Sequence, residues 1–222
     1  MVYVLATDSS RINGELITAA RVLGDVTAVV VGSLPADATD ALATQGAKTI
    51  IRAPFTGQRL VIPEVDALSI LASQTPGPIV ISRSEEGNEI AGRLAARLSS
   101  GVLTDVVAIN ADGTARGSIF GDKIGTTLAV GGTSPIYTLR AGVVEPVNQE
   151  ADGTLMDLAL PEAGVLDPTV VSFTPHTPGA RPALPQADVV VSGGRGVGSA
   201  EGFTELVEPS RRSLRWCSWC HP

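Results

Sequence analysis

The chain has 222 residues, 44% of them apolar and only 4% aromatic, which predicts a globular core built from Val, Ile, Leu and Ala. The net charge of −7 provides no basic stripe to neutralise phosphates, so nucleic acid is not an expected partner. No apolar run reaches the roughly 18–20 residues of a membrane span, and the strand-like run at residues 2–6 has no basic leader. We therefore expect a cytosolic protein with neither membrane insertion nor structural disulfides, since both cysteines lie in the last six residues.

The first hundred residues alternate between strand-like and helix-like patterns. Apolar runs typical of buried strands cover 2–6, 26–31, 48–52 and 78–82, and helical patterns cover 15–23, 37–45, 63–73 and 86–99. Asn13 is a candidate N-cap, Pro63 suits a first helical position, and Gly101 is the expected stop of the fourth helix. Short connections of this kind predict an α/β fold, a Rossmann-like parallel sheet with helices on both faces.

After residue 101 the pattern changes. An Asp112-Gly113 turn between apolar segments predicts a hairpin, and further strands are expected at 126–130 and 135–144. Residues 145–186 are rich in Pro, Gly, Asp and Thr, which favours an irregular segment or linker with a short strand at 169–173. A new strand at 187–192 leads directly into a glycine-rich stretch.

The glycine-rich stretch SGGRGVGS, residues 192–199, is the one segment with the chemistry of a binding site. Glycines allow backbone N–H groups to approach a phosphate, Arg195 could clamp a phosphate or stack on a ring, and a helix beginning near Glu201 would add its positive end. The spacing matches neither G-x-G-x-x-G nor the Walker pattern. A plain turn between a strand and a helix explains the glycines equally well.

Other polar residues are weaker candidates. Glu85 and Glu86 precede a helix, where negative charge is favourable, and Asp105 is expected at a strand end or turn. His176 has no nearby Cys, Asp or second His, so we expect no metal site there. No nucleophile arrangement is visible, and histidine occurs only at 176 and 221, so no catalytic residue is assigned.

Several segments together resemble the alpha subunit of electron transfer flavoprotein. They are ELITAARVLG, QGAKTI, EGNEIAGRLAARL with TDVV after it, YTLR and, above all, VVVSGGRGVGSAEGF. The similarity runs from the first strand to about Glu208, and the last segment is its most specific part. Residues 117–133 follow the family pattern only approximately.

The resemblance implies a heterodimer. The N-terminal α/β domain would pack against a beta subunit, and a second domain would carry FAD. The flavin would receive electrons from acyl-CoA dehydrogenases and related donors and pass them to a quinone reductase. The arginine of SGGRG contacts FAD in the family, so Arg195, with Gly194 and Gly196 on either side, is the expected cofactor-binding set. The family's AMP lies in the beta subunit, so no AMP site is assigned here.

This resemblance also predicts the domain organisation. Residues 1–186 would form the N-terminal domain with its linker, and 187–208 would begin the FAD domain, a fragment of a second α/β domain. Residues 209–222 are foreign to the family, and the later flavin motifs VGASR, GQTGK and GISGAIQH are not found. We therefore expect a chain truncated in its FAD domain, which binds FAD poorly alone and exposes apolar surface.

The tail RWCSWCHP contains the Cys-x-x-Cys-His pattern of c-type haem attachment. Haem attachment needs export, an axial ligand and an enclosing pocket, and a terminal tail offers none of these. Shifting the reading by one nucleotide turns Trp codons into Gly and Cys codons into Ala or Val, which resembles the family's A-A-V-G-A-S stretch. The tail is thus interpreted as a frameshifted, non-functional and disordered segment.

Two other functions stay open from the sequence. The chain could be a stand-alone adenine-nucleotide-binding α/β module with its ligand at the carboxyl ends of the strands. The loops after the first and fourth strands, however, lack a glycine-rich phosphate cradle. A scaffold that only pairs with a beta subunit is the third possibility.

Overall fold

A computed structural model describes residues 1–33, 35, 37–55, 57–174, 189–207, 209 and 216–220. The chain forms two compact units, Met1–Val171 and Ser172–Pro222. Across the described residues, no helix has the length and apolar character needed to cross a membrane. The predicted boundary at 186/187 falls outside the described residues.

The elements of both units follow in chain order. The strands are β1 (Val2–Leu5), β2 (Val26–Val31), β3 (Ala47–Ala53), β4 (Ile79–Ser82), β5 (Val102–Ile109), β6 (Ala115–Ile119), β7 (Ile124–Leu128), β8 (Ile136–Leu139), β9 (Thr154–Asp157), β10 (Val189–Gly193) and β11 (Trp216–Cys220). The α-helices are α1 (Ser10–Ala20), α2 (Ala38–Gln45), α3 (Ile62–Gln74), α4 (Glu85–Leu98) and α5 (Ala200–Leu206).

The first unit is built on one nine-stranded sheet, ordered β7-β6-β5-β8-β4-β1-β2-β3-β9. The strands from β5 to β9 in that order pair in parallel, and β6 and β7 extend the sheet as an antiparallel hairpin after β5. The predicted parallel sheet and the hairpin at Asp112-Gly113 are confirmed. Strand β8, predicted within 135–144, inserts between β4 and β5 and is buried along its whole length.

Helices cover both faces of this sheet, as predicted. One core cluster contains Leu16 and Ile17 of α1 and Leu42 of α2, and the other contains Val65 and Leu68 of α3 and Ile90 and Leu94 of α4. Val65 and Leu68 of α3 lie three residues apart, and Ile90 and Leu94 of α4 lie four residues apart, so each pair is on one side of its helix.

Two helix boundaries differ from the prediction. Ser9 caps α1 by accepting a hydrogen bond from the Ile12 N–H, while Asn13 is buried inside the helix and bonds to Thr7. The left-handed residue that ends α4 is Ser99 (φ 48°). Gly101 is required for close packing instead, because a Cβ there would lie 2.3 Å from Val130 Cγ2.

The segment after β8 forms a strap, residues 141–153, across the outer side of α1 and α2. Arg21 donates to the Val147 carbonyl at 2.7 Å, and the Gln149 and Ala151 N–H groups donate to carbonyls at the end of α2. The strap delivers β9 to the edge of the sheet beside β3. No periodicity predicts β9, and the strand predicted at 169–173 is wrong: within that range only Thr169 makes a bridge, to Arg59.

A buried ion-pair cluster fastens the end of the first unit to its helices. Arg59 donates to Asp66 Oδ2 at 2.6 Å and to Asp167 Oδ2 at 2.7 Å, and Arg97 also contacts Asp66. The side chains of Arg59 and Asp66 are only 8% and 7% exposed. Each of these charges is therefore tolerated because opposite charges surround it.

The second unit contains a parallel β10–α5–β11 arrangement. Five residues of β10 pair in register with Trp216–Cys220, and Phe203, Val207, Val191 and Val197 form a small apolar cluster. The prediction of a disordered tail is thus wrong for residues 216–220. Reading-frame reasoning carries no information about backbone pairing, whereas tryptophan favours strands.

Replacing Gly153 by alanine tests how closely the strap packs. Gly153 has φ +60° and an added Cβ would lie 2.6 Å from Ala43 Cβ, so strain and overlap combine. We expect G153A to lower the free energy of unfolding by about 3 kcal/mol in denaturant titration. G142A is the control, because Gly142 (φ +77°) has open space around it, and only about 1 kcal/mol should be lost. Equal losses would contradict the close contact.

A second prediction concerns the buried ion pairs. Asp66→Ala removes the shared partner of Arg59 and Arg97, so the free energy of unfolding should fall by about 3–5 kcal/mol. Asp157→Ala breaks the bidentate but exposed pair with Arg52 and should change stability little. Thermal and denaturant unfolding would measure both variants. Similar effects for the two would rule out a special role for the buried cluster.

Candidate functional site

The predicted binding residues lie together on one exposed turn at the end of β10. Gly194 precedes a 3-10 turn, Arg195–Val197, and α5 begins at Ala200. The Val197 N–H donates to the Gly194 carbonyl at 3.0 Å and the Gly198 N–H to the Arg195 carbonyl at 3.1 Å. These bonds fix the turn while the Arg195 side chain stays exposed.

The glycines of this stretch serve two different purposes. A Cβ on Gly193 would lie 2.9 Å from Phe203 Cδ2, and one on Gly202 would lie 2.2 Å from the Val197 carbonyl oxygen, so both are required for packing. A Cβ on Gly194 or Gly196 would meet nothing within 4 Å. The backbone at these two positions is therefore open to an approaching group.

The electrostatics of the turn depend on Arg195. It is the only cationic side chain between Val189 and Val207. Hydrogen bonds from the Glu201 backbone N–H and the Ser199 hydroxyl lower the pKa of the Glu201 carboxyl, and Ser199 also accepts from the Gly202 N–H. These side chains already accept hydrogen bonds from N–H groups in the first turn of α5, whereas the Arg195 side chain and the backbone at Gly194 and Gly196 are exposed.

A separate cavity of about 400 Å³ lies in the first unit, at the carboxyl ends of β1 and β2. Its lining includes Thr7, Asp8, Ser33, Asp37, Leu42 and Gln45. Gln45 Oε1 is buried there without a hydrogen-bond partner among the described residues. The lining contains two carboxylates and, among described residues, no cationic side chain, so it disfavours a phosphate group.

Of the other polar candidates, those that the structure describes lie in helix α4 and strand β5. Glu85 and Glu86 were expected just before α4 and instead lie in its first turn, where negative charge is favourable as predicted. Asp105 is not at a strand end; it lies inside β5 with φ +56°, at a break in the register with β8. His176 falls outside the described residues, and among the described ones no cluster of His, Cys, Asp or Glu could hold a metal ion.

The sequence did not reveal the role of Arg140, at the end of β8. Arg140 donates to both carboxylate oxygens of Asp105, at 3.1 and 2.7 Å, and to Asp122 Oδ1 at 3.1 Å. These hydrogen bonds lower the pKa of Asp105, and the Ser118 hydroxyl and Arg140 lower the pKa of Asp122. Arg140, Asp105 and Asp122 are far apart in the sequence, so no local pattern predicts that they form a cluster.

Glu64, in the first turn of α3, has the opposite electrostatic environment. Its Oε2 atom is buried without a hydrogen-bond partner among the described residues. Burial raises the pKa of this carboxyl, and the charge of Glu86 raises it further. The ionised form of Glu64 therefore destabilises the folded protein.

These features define a class: a parallel α/β domain followed by a smaller unit in which a glycine-arginine turn joins a strand to a helix. The family model described as "Electron transfer flavoprotein domain" matches residues 4–163. The chain belongs to the electron transfer flavoprotein family.

Curated relatives extend this similarity into the second unit. The electron transfer flavoprotein subunit alpha of Mycobacterium leprae is 40% identical over 209 residues, which cover 92% of this chain and 65% of the relative. The same subunit of Mycobacterium tuberculosis H37Rv is 41% identical with the same coverage, and that of Syntrophomonas wolfei is 30% identical over 89% of this chain and 64% of the relative. The chain thus spans about 65% of the length of the first two relatives.

Replacing Glu64 by glutamine tests the buried carboxyl. A folded-state pKa above the unfolded value of about 4.3 means that stability is lost as pH rises from that value through the folded pKa. Glu64→Gln should therefore raise Tm at pH 7 by a few degrees, and the gain should disappear near pH 3.5. Glu85→Gln, which removes a favourable charge from the α4 N-terminus, should slightly lower Tm at pH 7. A constant effect of E64Q across this pH range would refute the prediction.

Proposed function

We propose that this chain acts as an electron transfer flavoprotein alpha subunit. With a beta subunit and FAD, it would carry electrons from acyl-CoA dehydrogenases and related donors to a quinone reductase or the respiratory chain. The observation that supports this most directly is the exposed Arg195 between two open glycines at the end of β10, in a chain of this family.

The proposed role of these residues is binding. Gly194 and Gly196 leave space for a cofactor to reach the backbone, and the Arg195 guanidinium would contact FAD as a permanent cation and planar donor. FAD, when bound, supplies the redox chemistry. The chain would act as a carrier subunit and not as an enzyme that makes bonds, with a cytoplasmic site of action.

A stand-alone adenine-nucleotide-binding module is the alternative function. The cavity beside β1 and β2, with the unpartnered Gln45 Oε1, is the observation that favours it. Asp8 and Asp37 in the lining oppose it, because they would repel a phosphate. Calorimetry with AMP, ATP and FAD separates the two: nucleotide binding without FAD binding would support the module. Co-purification with a beta subunit but no ligand would favour a scaffold.

Arg195→Ala tests the flavin site. We expect FAD to bind the complex of this chain and its beta subunit about 10–100-fold more weakly, since a hydrogen bond from a charged group is worth about 1.5–3 kcal/mol. Flavin fluorescence titration would measure the affinity. Arg93→Ala, which removes an exposed arginine from α4, is the control and should bind FAD like the wild type. Unchanged FAD affinity in R195A would argue against the site.

The same titration without the beta subunit tests whether this chain alone holds FAD. The identified turn supplies one cationic side chain and two open glycines, which are few contacts for so large a cofactor. We therefore propose weak binding by the chain alone. Tight stoichiometric FAD in the isolated chain would contradict this proposal while leaving the family role intact.

A further inference from the structure

The antiparallel hairpin of β6 and β7 extends the sheet beyond the helices. Strand β7 is the last strand in the sheet order and pairs only with β6 among the described residues. The pairs Ala115–Leu128, Gly117–Thr126 and Ile119–Ile124 alternate along the ladder, so their side chains share one face. An apolar face of a sheet normally lies against another element.

The apolar residues on this face begin in the buried core of the first unit and continue along the hairpin. Ala115 is fully buried in the same cluster as Ile109 and Tyr137. Further along the hairpin, Ile119 is 44% exposed and Ile124 48% exposed, and Leu128 is 37% exposed. Apolar residues therefore continue along this face of the hairpin into positions that are exposed.

The tip of the hairpin presents an aromatic ring. Phe120, Gly121 and Asp122 all have positive φ, at 55°, 64° and 63°. Positive φ is unfavourable for phenylalanine, yet this conformation leaves the Phe120 side chain 74% exposed. Burial within this chain therefore does not explain why the turn keeps a phenylalanine there.

Strand β8 holds both ends of the hairpin in place. The Tyr137 hydroxyl donates to the Gly113 carbonyl at 2.7 Å, at the turn between β5 and β6. At the other end, Arg140 donates to Asp122 Oδ1 and to the Ser118 carbonyl at 3.0 Å, and the Ser118 hydroxyl donates to Asp122. The tip is thus preorganised, which lowers the entropy cost of binding a partner.

We propose that Ile119, Phe120, Ile124 and Leu128, here called the hairpin surface, dock the second subunit of the electron transfer flavoprotein. The proposal rests on the proposed function. It commits to that occupant because the curated relatives are named as subunits of a larger protein, and because the surface is apolar, hydrogen-bonded at its tip and continuous with the core. The Asp122 charge is neutralised by Arg140, which favours an apolar groove on the partner over a charged one.

The hairpin surface would form the centre of the interface and not all of it. The surface comprises four side chains that are 37% to 74% exposed, whereas a stable interface buries about 800 Å² and about 20–30 residues on each partner. Aromatic anchors at the centre of an interface dominate its binding energy. Loss of Phe120 should therefore weaken binding far more than loss of a peripheral apolar residue.

Phe120→Gly is the most informative variant. Glycine adopts φ +55° without strain, so Tm of the isolated chain should stay equal or rise while the anchor is lost. Ile124→Thr, which keeps a β-branched residue in β7, is the second variant. Leu166→Ala is the matched control, because Leu166 is 95% exposed and lies outside the hairpin. Each full-length variant is titrated with the purified beta subunit by calorimetry.

We expect the wild type and L166A to bind alike, and F120G and I124T to bind about tenfold to a hundredfold more weakly. Wild-type binding that both hairpin variants retain would overturn the docking surface but leave the proposed function standing. Failure of the wild type to bind the beta subunit would overturn both. A Phe120-dependent homodimer in sedimentation would also overturn the assigned occupant.

Discussion

The pairing of β8 with both β4 and β5 is the interaction on which the Arg140 cluster, the position of the β6–β7 hairpin and the start of the strap depend. Strand β8 pairs on both sides and all four of its residues are buried, although 26 residues lie between Ile109 and Ile136 across the intervening hairpin. Its position brings Tyr137 to the Gly113 turn and Arg140 to Asp105 and Asp122. The exit of β8 also starts the strap, where Glu15 of α1 accepts from the Gly142 N–H at 2.7 Å.

Local sequence patterns were sufficient to predict the strands of the first hundred residues. The prediction of β2 at 26–31 matches the structure, and the other early strands agree within one residue at each end, because a buried parallel strand is a short apolar run. All four residues of β9 are exposed and carry no such run; only the pairing with β3 and the course of the strap create this strand. Asn13 resembled a cap because cap preference is local, whereas its burial depends on Thr7.

The glycine-rich turn shows where sequence reasoning stops. Its location after a strand was predictable, and Gly194, Arg195 and Gly196 do share one exposed turn. The division of the glycines into those that pack and those that stay open depends on Phe203 and Val197, which approach only in the folded unit. The positive end of α5 was expected to help bind an anion, but Ser199 and Glu201 already use it.

Two arginine–aspartate clusters each join separate segments of the first unit. Arg59 joins the start of α3 to the segment around Asp167, and Arg140 joins β8 to the bulge of β5 and the tip of the hairpin. In each case a planar cation reaches two carboxylates at once, which lysine cannot do with the same geometry. Segments with few aliphatic contacts are thereby fixed in position. Since the β6–β7 tip has such a clamp, the exposed Phe120 lies in a turn that is held by several hydrogen bonds.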